Sequence, residues 1–341
     1  YTSGTTGKPK GAMITQANLS AMAASLHEAW GWRDSDVLLH ALPLFHVHGL
    51  FVALQGALYA GARTVLLPSF EPDGVLERLS KGDCTVFMGV PTMYHRLLSA
   101  GLSQGHSLSH LRLFVSGSAP LSPEVFHGFR SRTGHTILER YGMTEAGMVL
   151  SNPLDGERRP GSVGIPLPGV SVRILDPETD ADVTPGETGE LVIRSGSVCK
   201  GYWKRPGASR EAFSAGGWLR SGDMARQDED GYFYLVGRSK EIIISGGFNV
   251  YPKEVENILE RHPGVREAAV FGMPNRDLGE QVCAAVVSEG TEALTEEGLI
   301  RFTKDFLASY KCPRKVRFPD ALPRNPMGKV VKERLKEVCK E

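Results

Sequence analysis

The feature that most constrains this chain is a regular alternation of amphipathic stretches with short apolar runs between residue 16 and about residue 139. The amphipathic stretches include residues 18–30 and 123–132, and the apolar runs are residues 64–67, 85–88 and 111–115. Apolar runs of this length separated by helices are typical of buried parallel strands, so the alternation predicts a doubly wound α/β layer. In such layers, ligands bind at the carboxyl ends of the strands.

Two later changes of pattern predict two further regions. Apolar and polar residues alternate between Pro/Gly/Asp clusters at residues 170–175, 189–195 and 232–236, which indicates a β-rich subdomain. After Gly237 the pattern reads helix, strand, strand and helix, over residues 252–262, 268–271, 282–287 and 296–308. We therefore predict an incomplete large domain, with an α/β part and a β-rich part, followed by a small α+β domain. Their bounds are residues 1–159, 160–238 and 239–341.

The charge balance and the cysteines exclude several classes of partner and site. The 341 residues include 39 Lys plus Arg and 39 Asp plus Glu, so no net field favours nucleic acid or an anionic membrane surface. The longest apolar candidate for a membrane span, residues 49–62, is short and contains Gln55 and Gly56. The five cysteines form no CxxC pair, which argues against a zinc site and indicates a reducing compartment such as the cytoplasm.

The chain begins at Tyr1, inside a Gly/Ser/Thr-rich loop that no strand precedes. We therefore expect a further segment upstream of this residue. Such a segment could carry a targeting peptide, so an organellar location stays open beside the cytoplasmic one.

The opening loop, YTSGTTGKPKG, is the first motif suited to a phosphate ligand. Its glycines allow backbone N–H groups to turn toward an anion, its hydroxyls donate to phosphate oxygens, and Lys8 adds a positive charge. It is not a Walker A loop, because Thr2 stands where that motif needs glycine and Pro9 where it needs Ser or Thr. The motif predicts triphosphate binding, and a solvated linker is the alternative.

Residues 139–145 read ERYGMTE and follow a short apolar run, which predicts a loop at a strand end. Tyr141 could lie against a purine, Thr144 could donate to phosphate, and Glu145 could hold Mg²⁺. Taken alone, the segment fits a surface turn equally well.

Three more residues have side chains suited to a nucleotide. Asp223 in a Ser-Gly-Asp turn could accept both ribose hydroxyls, and Arg238 could span ribose and phosphate. Lys329, on a loop before an amphipathic stretch, could place a positive charge between a carboxylate oxygen and an α-phosphate. Each of these side chains by itself is more often a surface residue.

Together these motifs resemble the acyl-adenylate-forming superfamily, which includes acyl-CoA synthetases, luciferases and peptide-synthetase adenylation domains. The resemblance is carried by YTSGTTGKPKG, ERYGMTE, SGD, GRSKEIIISGG and PRNPMGK, in this order, and covers essentially the whole chain. It implies an ATP-dependent acid:CoA ligase that forms an acyl-adenylate and then an acyl-CoA thioester, with ATP, Mg²⁺ and coenzyme A. It also implies a small C-terminal domain that moves between the two half-reactions.

The resemblance assigns a role to each matching residue. The nucleotide would be bound by Thr2, Ser3, Gly4, Thr5, Thr6, Gly7, Lys8, Gly117, Ser118, Ala119, Pro120, Glu139, Arg140, Tyr141, Gly142, Met143, Thr144, Asp223 and Arg238. Mg²⁺ would be held by Glu145 and Thr5, and the catalytic residues would be Lys329, Glu145 and Thr144. The hinge would be Lys240, and the loop for thioester formation would be Ser245, Gly246 and Gly247.

The acid is indicated by PLFHVHGL and GVPTMYHR, which match segments that line the acyl pocket in the family and imply His46, Arg96 and Ser116 as acid-binding residues. A metal site at His46 and His48 is disfavoured, because no Asp, Glu or Cys stands nearby. An arginine beside an apolar pocket is costly unless it meets an anion, so Arg96 favours a dicarboxylic acid. The alternative is that Arg96 points to solvent.

These segments, with GGFNVYPKE, are similar to the malonyl-CoA synthetase branch, which implies malonate or methylmalonate as the acid. One departure stands in residues 146–149: the bacterial enzymes have polar residues there, whereas this chain has Ala-Gly-Met-Val. A medium-chain or aryl acid:CoA ligase is therefore the alternative. A light-emitting enzyme and a carrier-loading adenylation module are more remote. From another class, the chain could be a non-catalytic nucleotide-binding fragment.

Overall fold

A computed structural model describes residues 1–2, 9–102, 106, 108–214, 216–290, 294–324 and 330–338. The chain folds into two compact units. The first comprises Tyr1–Ser221 and Arg226–Tyr234, and the second comprises Gly222–Ala225 and Leu235–Glu341. The domain boundary at residues 238–239 stays a prediction.

The first unit is built on a seven-stranded sheet of order β2-β1-β3-β4-β5-β6-β7. Its strands are β1 Val37–His40, β2 Arg63–Leu66, β3 Val86–Gly89, β4 Leu113–Ser116, β5 Leu138–Met143, β6 Gly147–Ser151 and β7 Ile165–Pro166. The first five strands are parallel, and β6 and β7 continue the sheet in antiparallel fashion. The predicted doubly wound layer is confirmed.

Helices cover both faces of this sheet. They are α1 Gln16–Trp30, a π-helix His48–Leu54 continued by α2 Gln55–Tyr59, α3 Pro72–Ser80, α4 Pro91–Ser99 and α5 Pro123–Thr133. Successive strand residues point to opposite faces, so Phe87 packs with the α3–α5 cluster whereas its neighbours Val86 and Met88 pack with the α1–α2 cluster. Strands that are apolar on both faces are what a parallel sheet between helices requires.

The structure corrects one prediction about this sheet. The sequence predicts a loop at residues 139–145, but residues 139–143 belong to β5, which forms a hairpin with β6. The charged side chains of Glu139 and Arg140 are nevertheless buried, at 3% exposure each. The strand accommodates Glu139 because its Oε1 accepts a hydrogen bond from the backbone N–H of Leu121 (2.9 Å).

The β-rich region forms a four-stranded sheet of order β11-β10-β9-β8. Its strands are β8 Val170–Leu175, β9 Gly189–Ser195, β10 Leu219–Gln227 and β11 Phe233–Arg238, and the short helix α6 Pro206–Glu211 lies between β9 and β10 in the chain. The strands predicted at residues 170–175 and 189–195 have the observed bounds of β8 and β9.

The second unit contains a five-stranded sheet of order β13-β12-β15-β14, with β16 parallel to β15. Its elements are a 3₁₀ turn Ser239–Glu241, β12 Ile243–Ser245, β13 Phe248–Val250, α7 Pro252–Leu259, β14 Val265–Asn275, β15 Gly279–Ser288, α8 Glu296–Lys304, β16 Lys315–Arg317 and α9 Lys332–Val338. One apolar cluster packs α7 and α8 on the sheet, and a second includes Leu335 of α9. The expected α+β character is confirmed.

Among the described residues, no helix is both long and apolar enough to span a membrane. Four described cysteines, Cys84, Cys199, Cys283 and Cys312, are buried free thiols.

Candidate functional site

The carboxyl ends of the parallel strands meet at one edge of the main sheet, where ligands bind in folds of this kind. His40 ends β1, Gly89 ends β3 and Ser116 ends β4. Ser116 pairs in register with Glu139 of β5, so the two motifs predicted from sequence lie side by side. This edge is therefore the candidate site of the first unit.

The loop after β4 has a backbone that approaches β5 closely. Ser118 has a φ of 72°, an unusual conformation for a residue with a side chain and one that is common at functional sites. A Cβ on Gly117 would lie 2.5 Å from Cζ of Arg140, so only glycine fits there. Gly117 thus lies against the Arg140 guanidinium.

Arg140 is the most unusual charged side chain at this edge. It is fully buried, and burial lowers the pKa of its guanidinium to about 9. Within the described part of the chain, its Nε and Nη2 atoms have no hydrogen-bond partner, and no carboxylate forms an ion pair with it. The negative charge of Glu139 acts in the opposite direction and raises this pKa. Two buried donor atoms without acceptors are costly, so this position suits an anionic ligand.

Two buried histidines and a serine share the same edge. Nδ1 of His48 lies 3.2 Å from Oγ of Ser118, whereas its Nε2, both ring nitrogens of His40 and Oγ of Ser116 have no hydrogen-bond partner among the described residues. Burial lowers the pKa of His48 well below its ordinary value, and the charges of Arg140, His40 and His46 lower it further. Burial also lowers the pKa of His40. This cluster of polar groups can donate hydrogen bonds to an acid.

These histidines predict a pH dependence of stability. Below the ordinary histidine pKa of about 6.5, the unfolded chain binds protons that the buried His40 and His48 of the folded chain exclude. The free energy of unfolding therefore decreases as the pH is lowered, by up to about 1.4 kcal/mol per pH unit for each histidine. We expect the urea midpoint to be lower at pH 5.5 than at pH 7.5, and the difference to shrink in His48→Gln. His127→Gln, on the exposed side of α5, is the control and should keep the whole difference. An unchanged difference in His48→Gln would contradict the prediction.

Glu145 lies in the turn between β5 and β6 and is 7% exposed. The hydroxyl of Tyr202 donates a hydrogen bond to its Oε1 (2.7 Å), and no cationic side chain among the described residues pairs with it. No group of three or more His, Cys, Asp or Glu in the described part of the chain could enclose a metal ion. Because Mg²⁺ usually takes one or two carboxylates together with substrate phosphates, a single carboxylate fits that ion.

A shallow pocket adjoins this turn and contains Thr144 and Gly147. Its other lining residues come mainly from the start of α1 and from the π-helix; they are Ile14, Asn18, Leu19, Met22, Val47, Phe51 and Ser197. Within residues 146–149, only Gly147 lines this pocket, because Met148 packs in the α1–α2 cluster. The apolar departure noted in that segment therefore changes the core more than the pocket.

Arg96 lies on the exposed side of α4, whose buried residues are Tyr94 and Leu97. The solvent-facing alternative for Arg96 thus agrees with the structure, and a role in acid binding stays a prediction. His46 is half-buried beside the buried His48.

Asp223 and Arg238 form an ion pair in the second unit. Nε of Arg238 lies 2.7 Å from Oδ1 of Asp223, and the aspartate is 6% exposed. The structure thus brings together the two residues assigned to the ribose. The assignment itself stays a prediction.

The residues assigned to the hinge and to thioester formation also lie in the second unit. Lys240 is exposed in the 3₁₀ turn, and Ser245 pairs with Phe248 across a two-residue hairpin. Gly246 and Gly247 have φ of 60° and 82°, the backbone that a type I′ turn requires.

Several predicted site residues lie outside the described residues, namely Ser3, Gly4, Thr5, Thr6, Gly7, Lys8 and Lys329. In turn, the structure identifies His40 and Tyr202 as candidate site residues that sequence reasoning missed. The only sequence signal for His40 is its position at the end of an apolar run.

The chain is similar to several known proteins. A family model described as AMP-binding enzyme matches residues 1–203, and one described as AMP-binding enzyme C-terminal domain matches residues 254–329. The mitochondrial malonate–CoA ligase ACSF3 of Mus musculus is 42% identical over 98% of this chain and 63% of its own length. A long-chain-fatty-acid–CoA ligase of Bacillus subtilis (strain 168) is 40% identical over 99% of this chain and 60% of its own length.

The solved structures include ATP-bound MatB from Rhodopseudomonas palustris, which superposes with a TM-score of 0.96. Its sequence is 46% identical to this chain, and the match covers 100% of this chain and 67% of the MatB chain. The chain spans less than two thirds of the length of the two curated relatives named here.

Proposed function

The chain belongs to the AMP-binding enzyme family, and from this premise we propose that it forms part of an ATP-dependent acid:CoA ligase whose acid is malonate or methylmalonate. In the first half-reaction, an acid carboxylate oxygen attacks the α-phosphorus of ATP and pyrophosphate leaves. In the second, the thiol of coenzyme A attacks the acyl carbon, AMP leaves and the thiol proton is released. A free carboxylate is a poor acyl donor, which is why adenylation precedes thioester formation.

Different residues of this chain would bind the nucleotide, hold Mg²⁺ and assist the adenylation step. Tyr141 and residues 117–120 would frame the adenine, and Asp223 and Arg238 would hold the ribose. Mg²⁺ would be held by Glu145 with phosphate oxygens of ATP and would neutralise part of their charge. Lys329 would offset the repulsion between the acid carboxylate and the α-phosphate.

The observation that supports a dicarboxylic acid is the buried Arg140. Its guanidinium lies against Gly117, and two of its N–H-bearing atoms lack partners among the described residues. A second carboxylate would satisfy them in a charge-assisted pair, whereas an alkyl or aryl group would leave both atoms without an acceptor. Ser116 and the buried His48 would add hydrogen bonds, and His46 and Arg96 remain proposed acid-binding residues.

A medium-chain or aryl acid is the second candidate. The pocket beside Thr144 has an apolar side formed by Leu19, Met22, Val47 and Phe51. Its cavity volume of about 10 Å³ is close to that of one water molecule, so a carbon chain would enter only if these side chains moved apart. The Bacillus subtilis relative, which is about as similar to this chain as the malonate–CoA ligase is, is named for a long-chain fatty acid.

A small-molecule acid and coenzyme A are the proposed partners. For location we propose a reducing compartment, either the cytoplasm or an organelle, because four buried thiols are free.

The proposal is tested by measuring acid-dependent pyrophosphate exchange and acyl-CoA formation with malonate, methylmalonate, octanoate and benzoate. We expect both reactions with the two dicarboxylates and little with the others. Activity with octanoate or benzoate but not malonate would overturn the dicarboxylate assignment. ATP binding without exchange for any acid would instead favour a non-catalytic nucleotide-binding chain.

A further inference from the structure

Tyr202 lies between the segment that follows the phosphate loop and the Glu145 carboxylate. Its backbone forms a bridge with Ala12, and the next residue, Trp203, donates its N–H to Gly11 O (2.8 Å). The ammonium of Lys10 lies 4.3 Å from the centre of the Tyr202 ring, a cation–π distance. One side chain thus contacts both the Glu145 turn and residues 10–12, which follow the predicted phosphate loop in the chain.

The same segment is fixed to the Glu145 turn by its backbone. The N–H of Cys199 donates to Glu145 O (2.7 Å), and the hydroxyl of Ser197 donates to Ala146 O (2.6 Å). Together with the bond from the Tyr202 hydroxyl to Oε1, these contacts hold both the main chain and the carboxylate of Glu145.

Glu145 is 7% exposed and its Oε1 already accepts a hydrogen bond, so Oε2 is the oxygen with more capacity left for a cation. Hydrogen bonds of this kind orient metal ligands, and their removal typically lowers metal affinity about 10–100-fold. Without the phenol hydroxyl, the carboxylate could rotate, so its free oxygen would no longer be aimed in one direction.

We infer that Tyr202 is a positioning residue for the divalent cation that accompanies ATP: its hydroxyl fixes Oε1 of Glu145, and Oε2 would bind the metal. Its ring and Lys10 at the same time tie the base of the phosphate loop to this turn. The inference rests on the proposed function for the identity of the nucleotide, but it concerns the metal and not the acid.

The test compares the binding of a non-hydrolysable ATP analogue in excess Mg²⁺ and in EDTA. Tyr202→Phe keeps the ring and removes only the hydroxyl. We expect its affinity for the analogue to fall about tenfold in Mg²⁺ and to stay unchanged in EDTA. Tyr232→Phe is the matched control, since that hydroxyl donates to the backbone oxygen of Glu157, and it should change neither affinity.

A double-mutant cycle with Glu145→Gln separates positioning from packing. If Tyr202 acts through Glu145, adding Tyr202→Phe to Glu145→Gln should lower the affinity in Mg²⁺ no further. Additive losses, or an equal loss in Mg²⁺ and EDTA, would overturn the inference. Because no acid is present, a protein that binds the analogue as described but adenylates no acid would refute the proposed function and leave this inference standing.

Discussion

Replacement of Arg140 with methionine is expected to lower kcat/KM for malonate on the order of 10²–10³-fold, because truncating one partner of a buried charge pair costs about 2–5 kcal/mol. The melting temperature of the protein without substrate should stay the same or rise. Methionine is apolar and of similar length, and it removes two buried donor atoms, Nε and Nη2, that have no acceptor among the described residues and carry a desolvation cost. Acyl-CoA formation and thermal unfolding measure the two effects.

Arg158→Met is the matched control. Its guanidinium donates to the backbone oxygens of Thr136, Pro153 and Leu154 at 2.5, 3.1 and 2.8 Å, so it has a structural role. This variant should lower the melting temperature and leave the preference among acids unchanged. Arg96→Met tests the other candidate cation, and a loss of malonate activity there but not in Arg140→Met would assign the second carboxylate to Arg96.

Lys329→Ala is expected to lower malonate-dependent pyrophosphate exchange about 10²–10³-fold, the usual effect of removing one group that stabilises transition-state charge. The motif PRNPMGK supports this prediction, since Lys329 itself lies outside the described residues. Thioester formation from chemically prepared malonyl-adenylate should be much less affected, because that half-reaction has no carboxylate attacking a phosphate.

Lys336→Ala provides the comparison for this variant. Lys336 is also near the C-terminus, on α9, and its ammonium pairs with the exposed Glu333. Both reactions should proceed at the normal rate in Lys336→Ala. Pyrophosphate exchange that survives in Lys329→Ala would refute the assignment of that lysine.

Most of the fold could be predicted because its strands are apolar and its helices carry clear start signals. Proline opens α4, α5 and α7, and the apolar runs at residues 85–88 and 111–115 correspond to β3 and β4 within two residues. The exception is β5, where Glu139 and Arg140 interrupt the apolar pattern. The local sequence does not show that the Glu139 carboxylate accepts a hydrogen bond from the backbone of Leu121, eighteen residues earlier in the chain.

The candidate site residues that lie within short sequence motifs could be predicted, whereas contacts between distant segments could not. Ser116 and Glu139 lie side by side at one edge of the sheet because β4 and β5 are parallel neighbours, and residues 117–120 directly follow β4. The contact between Tyr202 and Glu145 joins residues 57 positions apart, and neither segment contains a local signal for the other. The burial of Arg140 likewise depends on Gly117, whose missing side chain leaves the space for the guanidinium.

The two apolar clusters lie on opposite faces of the main sheet, so substitutions can be made in one cluster without changing the packing of the other. Pocket-lining Met22 belongs to the α1–α2 cluster, and Leu19, Val47 and Phe51 pack against it, whereas no described pocket residue comes from the α3–α5 cluster. Substitutions at distant sites with no shared partners have nearly additive effects. Substitutions in the pocket lining could therefore be combined with stabilising substitutions on the opposite face of the sheet, with little interference between the two sets.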